Sequence, residues 1–165
     1  EPLAWVAQLI QALRPGDAAA RAKLRAEAFE AAPALPGKVN GFEFPWLADA
    51  DSRLGPLLEA HMEGKYYWIP FARIQRLSLE APTDLRHLVW VPAQVTWVTG
   101  GESSLLIPTR YAGSETVADD RVRLARRTEW EELAEGQFRG LGQRTLTAGD
   151  TDYPLLEVRT IEFTA

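Results

Sequence analysis

The sequence contains no cysteine in its 165 residues. This absence excludes disulfide bonds, thiolate zinc sites and cysteine nucleophiles, and it suits a reducing compartment. Histidine is also scarce, because only His61 and His87 are present to serve as a catalytic base or a metal ligand. No apolar run reaches the length of a transmembrane helix, and no signal peptide is visible. We therefore expect no cofactor, no resident metal and no membrane partner.

Positive charge is in short supply as well. Lysine and arginine number 18 against 23 acidic residues, which gives a formal net charge of −5 and a pI of about 5.1. A general nucleic-acid binder needs a net basic surface or a concentrated basic stripe. The one basic cluster is interleaved with carboxylates and neutralises itself; it comprises Arg121, Arg123, Arg126 and Arg127 with Asp119, Asp120 and Glu129. We expect no nucleic-acid partner.

The N-terminal region has helical patterning. Residues 3–14 place apolar side chains at helical spacing, and residues 18–31 form an alanine-rich segment that ends before Pro33. A short turn joins the two segments, and Asp17 is a good N-cap for the second, so residues 1–32 predict a helical hairpin. The second segment is similar to the second helix of a tetratricopeptide-type repeat. Because the chain begins with Glu and enters a helix at once, we expect it to be a piece of a longer protein.

The rest of the chain is predicted to be rich in β-structure. Residues 33–45 contain three prolines and two glycines, which is typical of a linker. A third, amphipathic helix is expected over about 52–63, and several later segments rich in β-branched and aromatic residues alternate apolar with polar side chains. The predicted fold is α+β: a helical hairpin, then a C-terminal domain at 46–165 with a mostly antiparallel sheet or partly open barrel.

The stretch DADSRLGP at 49–56 is acidic enough to suggest a metal or acid–base site. It fails as an EF-hand calcium loop, because Arg53 takes the fifth position and neither the glycine nor the final glutamate falls where required. Paired-carboxylate catalysis would combine Asp49 or Asp51 with Glu59 or Glu63. The favoured interpretation is structural: Asp49 and Asp51 cap the helix expected over 52–63, and Arg53 is a salt partner for one of them. On that helix His61 would lie on or beside the buried face.

Aromatic side chains are the remaining candidates for a functional surface. Eight stand out in the sequence: Trp46, Tyr66, Tyr67, Trp68, Phe71, Trp90, Trp97 and Trp130. Most must belong to the core of a β-domain of this size, and strand alternation sends Tyr66 and Trp68 to one face and Tyr67 to the other. Exposed members of such a set can form an apolar groove for a partner helix or peptide. We select Tyr66, Tyr67, Trp68 and Trp97 as candidate partner-binding residues.

Several long strings, taken in order, point to a known family. They are WLADADSRLGPLLEA, GKYYWIPF, RIQRLSLEAPTDLRHLVWVPAQVTW, GGESSLLIPTRYAGSE, RLARRTEWEEL and GLGQRTL. This arrangement resembles the type VI secretion accessory proteins of the ImpE, SciE or TagJ family, over nearly the whole chain. The resemblance implies an N-terminal tetratricopeptide-like domain, of which residues 1–32 would be the last helices, and a β-rich C-terminal domain.

The same resemblance implies a non-catalytic accessory role in the bacterial cytoplasm. Some family members are described as binding the N-terminal helix of the small contractile-sheath subunit and as associating with the AAA+ ATPase that recycles the sheath. No catalytic residue follows from this reading. The alternatives are a hydrolase or small-ligand protein that uses Asp49, Asp51, Glu59 or His61, and a stand-alone β ligand-binding module.

Overall fold

The predicted helical hairpin is present in the computed structural model, which describes residues 3–164. Its helices are α1 (Ala4–Gln11) and α2 (Ala18–Ala31). Asp17 Oδ2 accepts a hydrogen bond of 2.8 Å from the Ala20 N–H, which confirms the predicted N-cap. One hairpin does not establish a tetratricopeptide repeat, so that part of the expectation stays a prediction. Within the described residues no helix is long and apolar enough to cross a membrane.

Short strands make up most of the remaining chain. Along residues 3–164 they are β1 (Gly37–Val39), β2 (Phe42–Phe44), β3 (Leu47–Asp49), β4 (Leu57–Met62), β5 (Lys65–Pro70), β6 (Ile74–Leu79), β7 (Trp90–Trp97), β8 (Glu102–Pro108), β9 (Thr128–Ala134), β10 (Gln137–Gly142), β11 (Thr145–Ala148), β12 (Thr151–Pro154) and β13 (Thr160–Phe163). A short helix, α3 (Asp120–Arg123), and single 3-10 turns at Phe71–Arg73, Leu85–Leu88, Ser114–Thr116 and Leu155–Glu157 connect them.

The strands form three antiparallel sheets. The largest has eight strands in the order β2-β1-β13-β6-β7-β8-β4-β5; a second contains β12-β11-β3, and β9 pairs with β10 in a separate hairpin. Over the described part of the chain the large sheet is open, with β2 and β5 at its edges. The expected α+β class and antiparallel pairing are confirmed, and within residues 3–164 the large sheet does not close into a barrel.

The main core lies between the large sheet and the three-stranded sheet. Alternation along the strands sends one set of apolar side chains inward, as the buried Val91, Ala93 and Val95 of β7 illustrate. Leu146 of β11 and the turn residue Leu155 join the same buried cluster. A smaller cluster packs the hairpin onto the edge of the large sheet; its fully buried members are Trp5, Leu9, Ala28 and Leu57.

The helix expected over 52–63 is wrong. Residues 50–56 form turns, and β4 begins at Leu57 and pairs with β5 in a hairpin. The helical spacing of leucines arose because both faces of β4 are covered: Leu57 packs against the helical hairpin and Leu58 against the main core. Glu63 and Gly64 both have positive φ and make a two-residue connection, which favours a strand hairpin over a continuing helix.

The linker expected over 33–45 is also corrected, because part of it is sheet. Residues 37–39 form β1, which pairs with β13 on one side and with β2 (residues 42–44) on the other. Asn40 and Gly41, both at positive φ, make the turn between β1 and β2. The glycines that suggested a flexible linker therefore serve a turn and a close approach: a Cβ on Gly37 would lie 2.1 Å from the Glu162 carbonyl oxygen.

Candidate functional site

A fully buried arginine is the centre of a group of buried and partly buried ionisable side chains. Arg144 lies between β10 and β11, and its guanidinium donates to Asp49 Oδ2 and to Glu59 Oε2, both at 2.6 Å. The Nε of Arg144 donates to the Pro108 carbonyl at 2.9 Å. The end of β3 and the middle of β4 thus supply one carboxylate each, and we call Arg144, Asp49, Glu59 and Tyr111 the ionic cluster.

Tyr111 completes the cluster. Its hydroxyl donates to Asp49 Oδ1 at 2.7 Å and accepts from the Thr145 N–H at 2.9 Å. The guanidinium carbon of Arg144 lies 5.0 Å from the centre of the Tyr111 ring, a cation–π distance. Asp49 Oδ1 also accepts from the Asp51 N–H at 2.9 Å. Every polar group in this interior therefore has a partner, as a buried charge requires.

The burial of the cluster shifts its acid–base behaviour. Burial raises the pKa of Asp49 to about 6, although the Arg144 charge and the Tyr111 hydrogen bond act in the opposite direction. Burial by itself would lower the pKa of Arg144, but the Asp49 and Glu59 carboxylates outweigh it and raise that pKa. Burial, together with the Asp49 charge, raises the pKa of Tyr111 well above its usual value. Arg144 therefore stays charged and Tyr111 stays neutral.

Asp51 and Arg53 stabilise the turn between β3 and β4. Asp51 is fully buried, and its carboxylate accepts from the Arg53 backbone N–H at 2.9 Å and from Arg53 Nη2 at 2.6 Å. The Gly140 N–H donates to Asp51 Oδ2 at 2.9 Å, which links this turn to β10. The expected helix-cap role of Asp49, Asp51 and Arg53 is therefore wrong, because no helix follows them. Their carboxylates instead bond to a turn, to β10 and to Arg144.

The arrangement does not resemble a catalytic cleft. Asp49, Asp51 and Arg144 are at most 4% exposed, and their oxygens and nitrogens are already bonded to one another or to the backbone. Within residues 3–164 no three His, Asp or Glu side chains lie close enough to hold a metal ion. His61 lies in β4 rather than on a helix, and it contacts aromatic rings instead of a nucleophile.

The ionic cluster connects to the surface through the edge strand β5. Tyr66 donates from its hydroxyl to Glu59 Oε1 at 2.8 Å, and Trp68 Nε1 donates to the Tyr66 hydroxyl at 2.7 Å. Burial, with Glu59 adding to it, raises the pKa of Tyr66 to about 12, so this tyrosine stays protonated. Half of Tyr66 remains exposed, whereas Trp68 packs against the helical hairpin.

The four selected aromatic residues do not form one surface. Strand alternation in β5 puts Tyr67 on the face opposite Tyr66 and Trp68, as predicted. Trp97 is at the end of β7, where it packs partly against the main core and its indole N–H donates to Ser103 Oγ at 3.0 Å. The structure therefore brings Tyr66 and Trp68 together and leaves Tyr67 and Trp97 elsewhere.

A shallow apolar groove lies beside Tyr66 on the large sheet. Register places Tyr66 opposite His61, His61 opposite Leu106, and Leu106 opposite Pro92, so one row of side chains crosses β5, β4, β8 and β7. The Trp90 ring stands edge-on to His61, with 4.8 Å between ring centres. The cavity over this row is about 530 Å³, and we call it the sheet-face groove.

A second apolar depression lies between the C-terminal end of α2 and β3. Phe29, Ala32 and Pro33 form one wall and Trp46 and Ala48 the other, around a volume of about 340 Å³. We call it the α2 groove. Its volume is smaller than that of the sheet-face groove, and its exposed aromatic member is Trp46, at 40%.

Reasoning from the sequence missed Arg144, Tyr111 and Leu106. The partners of Arg144 lie 95 and 85 positions away, so no local pattern marks it as buried. Leu106 lies in β8, whose alternation of apolar and polar side chains can be read from the sequence. Its exposure, however, depends on which face of the sheet no other element covers. The Glu63-Gly64 pair before YYWIPF was the one available signal for the β4–β5 hairpin.

Comparison with known proteins identifies the family. A family model described as ImpE protein matches residues 41–162. The type VI secretion system accessory component TagJ of Pseudomonas aeruginosa PAO1 is 43% identical over 166 residues, which cover 99% of this chain and 58% of that protein. A crystal structure of a Vibrio parahaemolyticus protein has the same fold, with a TM-score of 0.82 at 23% identity over 99% of this chain and 60% of that chain. The chain thus spans about three-fifths of these relatives. It belongs to the ImpE family.

Proposed function

We propose that this chain is part of a non-catalytic accessory protein of a bacterial type VI secretion system, acting in the cytoplasm as an adaptor. The observation that carries the proposal is the 43% identity to the accessory component TagJ along 99% of the chain. Family resemblance supplies the partners: the N-terminal helix of the small contractile-sheath subunit, and the AAA+ ATPase that recycles the sheath. An adaptor of this kind needs an apolar surface that fits a helix.

The sheet-face groove has the dimensions that such a helix needs. Its row of Tyr66, His61, Leu106 and Pro92 crosses four neighbouring strands, a distance of roughly 14 Å. A helix rises 1.5 Å per residue, so about nine residues, or two and a half turns, would cover the row. Tyr66 and Leu106 are 52% and 43% exposed, which leaves apolar area for the partner to bury.

The charges around the groove favour a helix with basic flanks. Glu63 lines the groove, and Glu102 lies on the adjoining surface with Gln94 and Ser104. None of the residues that line the groove is lysine or arginine. Opposite charges at the rim of an interface increase the association rate and fix the orientation of the partner more than they increase affinity.

The hydrolase alternative has less support. It requires a cleft in which carboxylates converge on a substrate, and perturbed pKa values there. Asp49 has a perturbed pKa, but its carboxylate is buried and fully bonded, and His61 lies apart from it in the sheet-face groove. A solvent-facing apolar groove beside a saturated ionic interior fits an adaptor better.

The test is a titration of a fluorescently labelled peptide, comprising the sheath subunit's N-terminal helix, followed by anisotropy. We expect saturable binding by the wild type and at least a tenfold weaker affinity for Leu106→Glu, because the substitution places a charge in the apolar row. Trp46→Ala, in the α2 groove, is the matched control and should change affinity less than twofold. Co-purification with the ATPase tests the second partner.

Each result decides one part of the proposal. Absence of binding by the wild type would remove the helix-binding proposal for this chain. Loss of binding in Trp46→Ala with normal binding in Leu106→Glu would move the site to the α2 groove. Equal melting temperatures of the two variants ensure that neither result reflects unfolding.

A further inference from the structure

A pocket lined by four arginines lies where the helical hairpin meets the β9–β10 hairpin. Arg21 and Arg25 come from α2, Arg53 from the turn after β3, and Arg139 from β10, around a volume of about 290 Å³. The rest of the lining is alanine and leucine, and it includes no acidic residue. Such a concentration of positive charge is unexpected in a chain whose net charge is −5. We call it the arginine pocket.

Two of the four arginines are compensated by carboxylates. Arg53 pairs with Asp51 at 2.6 Å, and the Arg139 Nε donates to Glu131 Oε2 at 2.6 Å. Among residues 3–164, by contrast, no carboxylate lies within 4 Å of the Arg21 or Arg25 guanidinium. The pocket therefore has two positive charges in excess of its immediate partners.

The uncompensated arginines are partly dehydrated, and Arg25 is also held in place by a hydrogen bond. Arg25 is 6% exposed, and its Nε donates to Gln137 Oε1 at 2.6 Å, while Gln137 Nε2 donates to the Ala22 carbonyl at 2.9 Å. The Nε of Arg21 is buried and has no hydrogen-bond partner among the described residues. A buried N–H without an acceptor is costly and needs an explanation.

The two charges also repel each other. Arg21 and Arg25 are four positions apart on α2, so their side chains lie one above the other on the same face of the helix. Burial lowers the pKa of Arg25, and the charge of Arg21 lowers it further, although Asp51 acts in the opposite direction. An anion between the two guanidinium groups would relieve the repulsion and accept from their terminal N–H groups.

The geometry points to a phosphoryl group as the ligand. We propose that the arginine pocket binds a phosphoryl dianion, either inorganic phosphate or a phosphomonoester, through Arg21 and Arg25, with Arg53 and Arg139 oriented beside it by Asp51 and Glu131. A phosphoryl group carries about −1.5 to −2 at pH 7, which matches the excess of two, whereas a single carboxylate neutralises half of it. Planar guanidinium forks suit phosphate oxygens. The α2 N-terminus is capped by Asp17, so the side chains supply the donors.

This site is separate from the proposed helix-binding surface, and its test is independent of that proposal. The purified protein is melted at pH 7.5 in 20 mM inorganic phosphate and in sodium chloride of equal ionic strength. We expect phosphate to raise the Tm by about 3 °C or more, since a ligand stabilises the folded state that binds it. Broadening of the phosphate ³¹P resonance measures binding directly.

Arg21→Gln should abolish both effects, because it removes one of the two uncompensated charges. Arg139→Gln, on β10, is a second variant that should weaken binding several-fold if the substitution in α2 unfolds the helix. Arg73→Gln, an exposed arginine outside the pocket, is the matched control and should retain the full Tm shift. Equal shifts in Arg21→Gln and Arg73→Gln would overturn the assignment.

Two further ligands define the chemistry. Acetate at the same ionic strength should leave the Tm unchanged, and a shift equal to that of phosphate would overturn the preference for a dianion. Methyl phosphate separates the two sources. Binding as tight as that of inorganic phosphate would support a phosphomonoester, and binding of inorganic phosphate alone would support the free anion.

Discussion

The ionic cluster and the arginine pocket both bury arginine, yet they treat its charge in opposite ways. Arg144 is fully buried and has two carboxylates and a carbonyl on its donors. Arg21 and Arg25 have no carboxylate within ion-pair distance in the described chain, and one buried N–H has no acceptor. A saturated buried charge stabilises one arrangement of the chain. A buried arginine without a carboxylate partner leaves N–H donors available to a ligand from outside the chain.

The largest expected effect on stability comes from removing Arg144 from the ionic cluster. Arg144→Met should lower the free energy of unfolding by about 3–5 kcal/mol, because Asp49 and Glu59 would remain buried without their cation. Chemical denaturation measures the loss. Arg76→Met is the control: it breaks the half-exposed ion pair of Arg76 with Glu162 and should cost less than about 1 kcal/mol. Similar losses in the two variants would contradict the structural role of the cluster.

The pH dependence of stability tests the same ionic cluster without removing a side chain. The pKa of Asp49 rises from an ordinary value near 3.8 to about 6 on folding, so the folded protein binds the proton more tightly. The resulting stabilisation is fully present below pH 3.8 and is lost as the pH rises through 6. The cluster tolerates the neutral form because Glu59 remains paired with Arg144.

Asp49→Asn should remove this dependence. Between pH 4 and pH 7 the wild type should lose on the order of 3 kcal/mol relative to Asp49→Asn, as the pKa shift implies. The measurement is the free energy of unfolding in urea at four pH values. Glu43→Gln, exposed in β2, serves as the control and should keep the wild-type slope. Parallel slopes in the wild type and Asp49→Asn would exclude a raised Asp49 pKa.

The smallest expected effect on stability comes from a substitution in the arginine pocket. It is an increase in stability rather than a loss. In phosphate-free buffer Arg21→Gln should raise the free energy of unfolding by roughly 0.5 kcal/mol, because it removes a like-charge repulsion within α2. Lys23→Gln on the same helix breaks the Lys23–Glu27 pair and should lower stability by a similar amount. Destabilisation by Arg21→Gln would show that Arg21 makes a stabilising contact. Arg21 would then not differ from Arg144 in the way described.

The sequence predicted best where a signal was local. Asp17 with an alanine-rich segment specified α2 to within a residue, and the apolar alternation of residues 74–79 specified β6. Family resemblance, based on long strings rather than single residues, was confirmed.

Prediction failed where distant segments decide the environment. Leu54, Leu57 and Leu58 have helical spacing, but β4 is covered on both faces, and this coverage comes from the hairpin and from the main core. Asp49 and Asp51 have the spacing of a cap, yet besides local bonds to Arg53 and to the Asp51 N–H they accept from the distant Tyr111, Gly140 and Arg144. The arginine pocket likewise combines α2 with β10, which no local pattern reports.

The position of β13 in the large sheet determines when that sheet can be completed during folding. Val39 in β1 lies opposite Ile161 in β13, 122 positions later in the sequence, and β13 pairs on its other side with β6. During synthesis β1 and β6 therefore each keep one edge unpaired until β13, which pairs with both, has left the ribosome. Contacts of such long sequence separation slow folding and expose strand edges to aggregation. Chaperone demand should thus be greatest just before β13 emerges.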